Sequence, residues 1–311
     1  MSLKTAEGTG EEKMESEQQT THNRAPDFGI IGFPKSGTTF LLGTLGRHPE
    51  VVMPSKEFCQ PNHWFEEMRN ISSQHPQQTI DTPMRYGFKC PTMLRATEGV
   101  EDLVKIANQT RLVMGVRHPV RWFESFYNHR VMKWYTVGEG KDKPIPSPLE
   151  LTKADTHWRD VSVKYARFDI YMKQLAKVSL TDEEMKEMLD HDNMFPKRIS
   201  PNPYKIFMYT LEQMNDRTFQ KDLQEFLQLR LPLQDFATLP KINPGNSTFN
   251  ESIDICEEQY SIIRSQLIDQ GKHASKWIVS KFMESPDVIV SDAEFFKSAI
   301  REWSKDPCVS E

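Results

Sequence analysis

Glycine, lysine and two threonines crowd together in GFPKSGTT, residues 32 to 39, and these residue types turn a backbone around an anion while setting a cation beside it. The apolar run that leads in, with Phe28, Ile30, Ile31 and Phe33, predicts a buried strand. Phe40, Leu41, Leu42 and Leu45 beyond predict one apolar stripe of a helix. A strand that turns through glycine into a helix N-terminus directs unpaired N–H groups and the positive end of the helix dipole at one spot. Gly32 and Gly37 keep the separation of the nucleoside-triphosphate loop G-x-x-x-x-G-K-[ST], but Thr38 stands at its lysine position and the lysine has moved to Lys35. The cradle survives that change, while the ammonium acts from a different point.

A second strand, turn and helix follows in TRLVMGV and RHPVRWFESFYNHR, residues 110 to 130. Pro119 suits a first helical turn. Arg117 ends the strand, and Ser125 lies about two turns into the helix, so both can reach one phosphate.

Together the two segments resemble the adenylyl-sulfate-dependent sulfotransferases. That family's PKxGTT loop appears as Pro34, Lys35, Ser36, Gly37, Thr38 and Thr39. Its R-x-P-x-x-R-x-x-S-x-Y signature appears as Arg117, Pro119, Ser125 and Tyr127, with the inner arginine displaced to Arg121 and Trp122 in its place. The run FGIIGFPKSGTTFLLGTLGRHPEV is similar to the Golgi carbohydrate (heparan-type) branch, and the recognisable motifs cover roughly Asp27 to Arg130. The resemblance implies that 3′-phosphoadenosine 5′-phosphosulfate is the co-substrate. Its 5′ phosphosulfate would lie on Lys35, Ser36, Gly37, Thr38 and Thr39, and its 3′ phosphate on Arg117 and Ser125. A nucleoside triphosphate lacks the 3′ phosphate and leaves Arg117 without a partner, a discrimination of a few kcal/mol.

In sulfuryl transfer a hydroxyl or amine attacks sulfur while charge builds on the departing nucleotide oxygen. Lys35 is the cation to meet it, by electrostatic preorganisation. A sulfuryl group carries less negative charge than a phosphoryl group, so no metal is expected. For the base, the related carbohydrate enzymes carry a K-E-x-H-F-F-like segment, which corresponds here to SKEFCQPNHWF with Glu57 as the candidate. Cys59 to Asn62 intervene before His63, which stays open as a rival because imidazole titrates nearer neutrality. Lys89 in YGFKCPT stands where the family has lysine beside the catalytic carboxylate, and it could orient Glu57. A late basic loop that covers the donor in the family has only a loose substitute in Lys241, Asn243 and Gly245.

Alternation of apolar strands with helical patterns implies right-handed crossovers. The expected fold is a three-layer α/β/α sandwich with a mainly parallel central sheet, like that of the P-loop nucleoside triphosphate hydrolases. Residues 1–26 are polar and acidic and read as a disordered tail, and 27–311 read as a single catalytic domain. YKIFMY at 204 to 209 predicts another central strand, and helical spacing follows over Leu211–Leu229, Ile253–Trp277 and Phe295–Trp303.

A formal net charge of −5 argues against a general nucleic-acid binder, which needs a strong basic field. The partner expected instead is a glycan, lipid or small-molecule acceptor. No apolar run spans a bilayer, so the chain as written reads as soluble, and its compartment stays open, cytoplasmic unless a targeting segment is missing. The alternative is the Golgi lumen, if a targeting segment is missing, and the sequons at Asn70, Asn108, Asn246 and Asn250 would suit it. Cys59, Cys90, Cys256 and Cys308 have no zinc-type spacing, and their pairing does not follow from sequence. Oligomeric state is likewise unreadable. Two other functions keep the glycine loop: a nucleotide-triphosphate kinase of related fold, and a catalytically silent donor-binding protein.

Overall fold

The computed structural model describes residues 25–60, 63–64, 66–67, 70–71, 84–95, 109–138, 141–142, 144–152, 168–178, 205–239 and 252–309. Among them six strands form one sheet: β1 Phe28–Gly32, β2 Val51–Val52, β3 Arg85–Cys90, β4 Arg111–Val116, β5 Ile206–Thr210 and β6 Val288–Val290. Their spatial order is β2-β3-β1-β4-β5-β6, and every neighbouring pair is parallel. The helices are, in chain order, α1 Thr38–Leu45, α2 Pro119–Phe126, α3 Met132–Val137, α4 Pro148–Thr152, α5 Phe168–Val178, α6 Arg217–Leu227, α7 Ser261–Ser280 and α8 Ala293–Arg301.

Period-two alternation along the central strands feeds two separate cores. Phe28, Ile30, Val113, Phe207 and Tyr209 pack with α1 and α6 through Leu41, Leu45, Phe219 and Leu223. Ile31, Leu112, Met114, Ile206 and Met208 belong to the other core, with Trp122 of α2, Tyr171 of α5, Ile278 of α7 and Ile300 of α8. A sheet buried on both faces between helices is the expected three-layer, P-loop-like α/β fold.

Chain order sets the place of the cleft. The chain leaving β1 goes to β2 on one side, and the chain leaving β4 goes to β5 on the other. The outgoing loops diverge between β1 and β4, which opens a crevice at the carboxyl edge. Both sequence motifs emerge there.

Two local expectations differ from the structure, and two short strands are additional to them. The stretch 211–229 is not one helix: a 3₁₀ turn Leu211–Asn215 ends at Asp216, whose extended backbone and carboxylate, accepting from Thr218 N at 2.7 Å, start α6 afresh. Helix α7 begins at Ser261 rather than Ile253, because Arg264 Nη1 draws the carbonyls of Ile255 and Glu257 onto itself at 2.8 Å each. Strands β2 and β6, two and three residues long, are too short to register as periodic patterns. Most of the acidic tail, residues 1–24, lies outside the described residues, as do Lys241, Asn243 and Gly245; Pro26 already belongs to the fold, its carbonyl accepting from Thr110 Oγ1 at 2.7 Å.

Candidate active site

Between β1 and α1 the backbone takes positive φ at Gly32 (110°), Lys35 (66°) and Gly37 (79°). This winding turns successive N–H groups toward one concavity, and the first N–H groups of α1 have no partner inside the helix. A left-handed lysine costs about 1–2 kcal/mol, strain of the kind retained at functional loops. Gly37 is required twice over, since a Cβ there would also lie 2.2 Å from Met214 Sδ.

The loop's carbonyls are turned inward by two buried donors. Trp122 Nε1 donates to Pro34 O at 2.8 Å, and Tyr209 Oη donates to Ser36 O at 2.9 Å. Gly115 on β4 makes room for this, because a Cβ there would sit 2.5 Å from both Ser36 O and Tyr209 Oη. Complete burial pushes the Tyr209 hydroxyl far above its ordinary range, so it remains a donor. Beneath the loop, Phe33 packs on Phe168 and Tyr171 with ring centroids 5.5 and 5.3 Å apart. The Ser36 Oγ is buried and has no hydrogen-bond partner among the described residues.

Two cations share this cradle. Burial draws the Lys35 ammonium below its ordinary range, and the neighbouring charges of Arg117 and Lys89 draw it further. Arg117 is lowered by burial too, with Glu212 and Glu124 opposing the shift and Arg121 adding to it. Among the described residues neither Lys35 nor Arg117 makes an ion pair or hydrogen bond. Two neighbouring cations, neither in a direct ion pair among the described residues, fit a ligand with two anionic ends. Ser125, half-buried on α2, has a hydroxyl that no bond among the described residues engages.

Alongside lies a third cation, and this one is paired. Lys89 is almost wholly buried; its Nζ donates to Glu57 Oε1 at 2.6 Å and to Thr39 Oγ1 at 2.9 Å. One ammonium thus joins the first turn of α1 to the Glu57 carboxylate, whose side chain is 50% exposed. His63 is exposed and pairs instead with Glu66, Nδ1 to Oε2 at 3.3 Å.

Over 165 residues the chain is 30% identical to "Heparan sulfate glucosamine 3-O-sulfotransferase 5" of Mus musculus and of Homo sapiens. Over that stretch the chain is similar to curated sulfotransferases. The match covers 48% of this chain and 42% of each relative, so the chain spans less than half the length of the curated sulfotransferases it matches. No family profile matches it. Among solved structures, a sulfotransferase from Alicyclobacillus acidocaldarius aligns over 83% of this chain and 97% of its own, with 15% identity and a TM-score of 0.47. The sulfotransferase domain from the curacin biosynthetic pathway aligns over 72% and 80%, with 16% identity and a TM-score of 0.37. Both likenesses are loose.

Where the sulfotransferase signature has its inner arginine, this chain has a buried tryptophan that braces the loop after β1. The displaced Arg121 turns away, its Nη2 donating to Pro307 O at 3.1 Å and its Nη1 to Glu124 Oε2 at 3.4 Å. Sequence reasoning registered Trp122 only as a departure and missed Tyr209 altogether. Tyr209 carries no signal beyond being an aromatic in a core strand.

Proposed function

We propose that this chain moves a sulfuryl group from 3′-phosphoadenosine 5′-phosphosulfate to a hydroxyl of a glycan-type acceptor. The observation that carries the reading is that Lys35 and Arg117, neither of them in a direct ion pair among the described residues, lie at the crevice between β1 and β4 close enough for the Arg117 charge to lower the Lys35 ammonium. When bound, the donor supplies an activated sulfuryl group on a nucleotide oxygen able to depart with negative charge. The N–H groups of Gly37 to Thr39 hold the 5′ end, and Arg117 with Ser125 holds the 3′ phosphate. Lys35 offers its ammonium to the charge that develops. Glu57 takes the proton of the attacking hydroxyl, and Lys89 keeps the carboxylate turned toward the cradle. Glu57 is preferred over His63 because the buried Lys89 ties it to Thr39 of the donor loop.

The glycan class draws on the relatives' names alone. A luminal, oxidising location is supported by the two disulfides, Cys59–Cys90 and Cys256–Cys308, which leave no free cysteine, and by the exposed Asn70 sequon. Among the described residues no helix is long and apolar enough to cross a membrane. The deciding experiment is a thermal melt with adenosine 3′,5′-bisphosphate in the absence of magnesium, followed by transfer of radiolabelled sulfate to heparan-type oligosaccharides. The bisphosphate should raise the melting temperature. A response to ATP with magnesium, and none to the bisphosphate, would replace this reading with a kinase; binding without transfer to any acceptor would leave a silent donor-binding protein.

A further inference from the structure

Glu57 lies in a stretch, residues 53–60, that has neither helix nor strand. Three consecutive residues of it are nevertheless pinned to two consecutive residues of β3. Glu57 Oε1 accepts from Lys89 Nζ at 2.6 Å, Phe58 N donates to Lys89 O at 2.9 Å, and Cys59 is disulfide-bonded to Cys90 with Cα atoms 5.0 Å apart. The first two tethers are weak by themselves: an ion pair with a half-exposed carboxylate adds little, and one backbone bond in irregular chain adds about 0.5–1.5 kcal/mol. The covalent bond, closing a loop with a sequence separation of 31, removes the alternative positions of that chain. Cys90 is buried at 1% exposure while Cys59 is exposed, so a soluble thiol reaches the bond from the Cys59 side.

We propose that Cys59–Cys90 is a positioning disulfide that holds Glu57 in register with Lys89, so that its reduction lowers transfer while leaving donor binding intact. The proposal rests on Glu57 as the base. In the reduction, a dithiol such as dithiothreitol gives two electrons and two protons to the disulfide; the S–S bond breaks into two thiols and the reductant closes to its cyclic disulfide. The donor cradle is braced by Trp122 and Tyr209 from other strands and helices and does not depend on this bond. Cys256–Cys308, which joins the segment before α7 to the far end of the chain, serves as the internal control.

The test compares oxidised and dithiothreitol-reduced full chain by three readouts: kcat for sulfate transfer, Kd for adenosine 3′,5′-bisphosphate, and hydrogen exchange at the Phe58 amide. Reduction should cut kcat about tenfold or more, with the bisphosphate Kd unchanged within about twofold. Exchange at Phe58 should quicken while that of the 35–39 loop does not. Cys59→Ser/Cys90→Ser should reproduce the reduced state and ignore reductant. Should that variant fail to fold, the reduced wild-type chain decides. An unchanged Phe58 exchange or kcat overturns the proposal, and so does a parallel loss of bisphosphate affinity or an equal effect from Cys256→Ser/Cys308→Ser. Absence of bisphosphate binding by the oxidised chain would count against the sulfotransferase reading instead, and Phe58 exchange would still decide the tether.

Discussion

The loop after β1 and the segment around Glu57 border the same crevice but are built in opposite ways. The loop is set between a buried strand and a helix, and its carbonyls at Pro34 and Ser36 are fixed by buried donors from α2 and β5. The Glu57 segment is irregular and exposed, and three adjacent attachments to the end of β3 hold it. On the proposed reading the fold preorganises donor binding, whereas the position of the base depends on a few local bonds. Perturbations should separate along that line.

The largest effect should come from the exposed half of the site. Glu57→Gln keeps the shape but not the basicity and should lower kcat by about 10²–10⁴ with donor affinity unchanged, while His63→Ala leaves kcat near wild type. A fully active Glu57→Gln would move the base to His63. Next comes Lys35→Ala, expected to cost about 10²–10³ in kcat with only a modest loss of bisphosphate affinity, measured by single-turnover transfer and calorimetry. Arg117→Ala should invert that balance, weakening the bisphosphate by about 1.5–3 kcal/mol at little cost to kcat under saturating donor. Equal losses in both parameters for both variants would erase the division of labour between the two cations.

Smaller effects test the brace. Tyr209→Phe leaves Ser36 O buried without its donor and should destabilise the chain by about 1–3 kcal/mol, read from a denaturant melt, and weaken bisphosphate binding in step. The smallest is a pH effect. The Lys35 ammonium is held below its ordinary range by burial, Arg117 and Lys89, so bisphosphate affinity should fall as pH rises through that lowered value, earlier than for a free lysine. The same depression means the unfolded chain binds more protons in the interval up to the ordinary lysine range, so Lys35 makes the ligand-free fold gain stability with rising pH there. Lys35→Arg should abolish the alkaline loss of affinity.

The donor loop was legible because its requirements are local. Positive φ at Gly37, a lysine within the turn and an apolar strand before it are all written in adjacent residues. The parallel sheet was legible for a related reason, since strands buried on both faces read as continuous apolar runs joined by helical spacing. Reading failed where a single side chain's hydrogen bond, near or far along the chain, decided the outcome. Arg264 unwinds the start of the expected helix at Ile253, and Asp216 divides the one expected from Leu211. Trp122 looked like the loss of an arginine, and its compensating role needs the Pro34 carbonyl, far away along the chain, to be visible.

From the sequence alone came the phosphate cradle, the second basic motif, the α/β alternation and the short list of bases, because each is encoded within a few turns of chain. Tertiary structure alone decided that Arg117 lies near enough to Lys35 to lower its ammonium, that Lys89 joins Thr39 to Glu57, and that Cys59 pairs with Cys90. The physical reason is the crossover order of the sheet, which sets β1 between β3 and β4 and so brings the ends of three strands, distant in sequence, within reach of one another's charges.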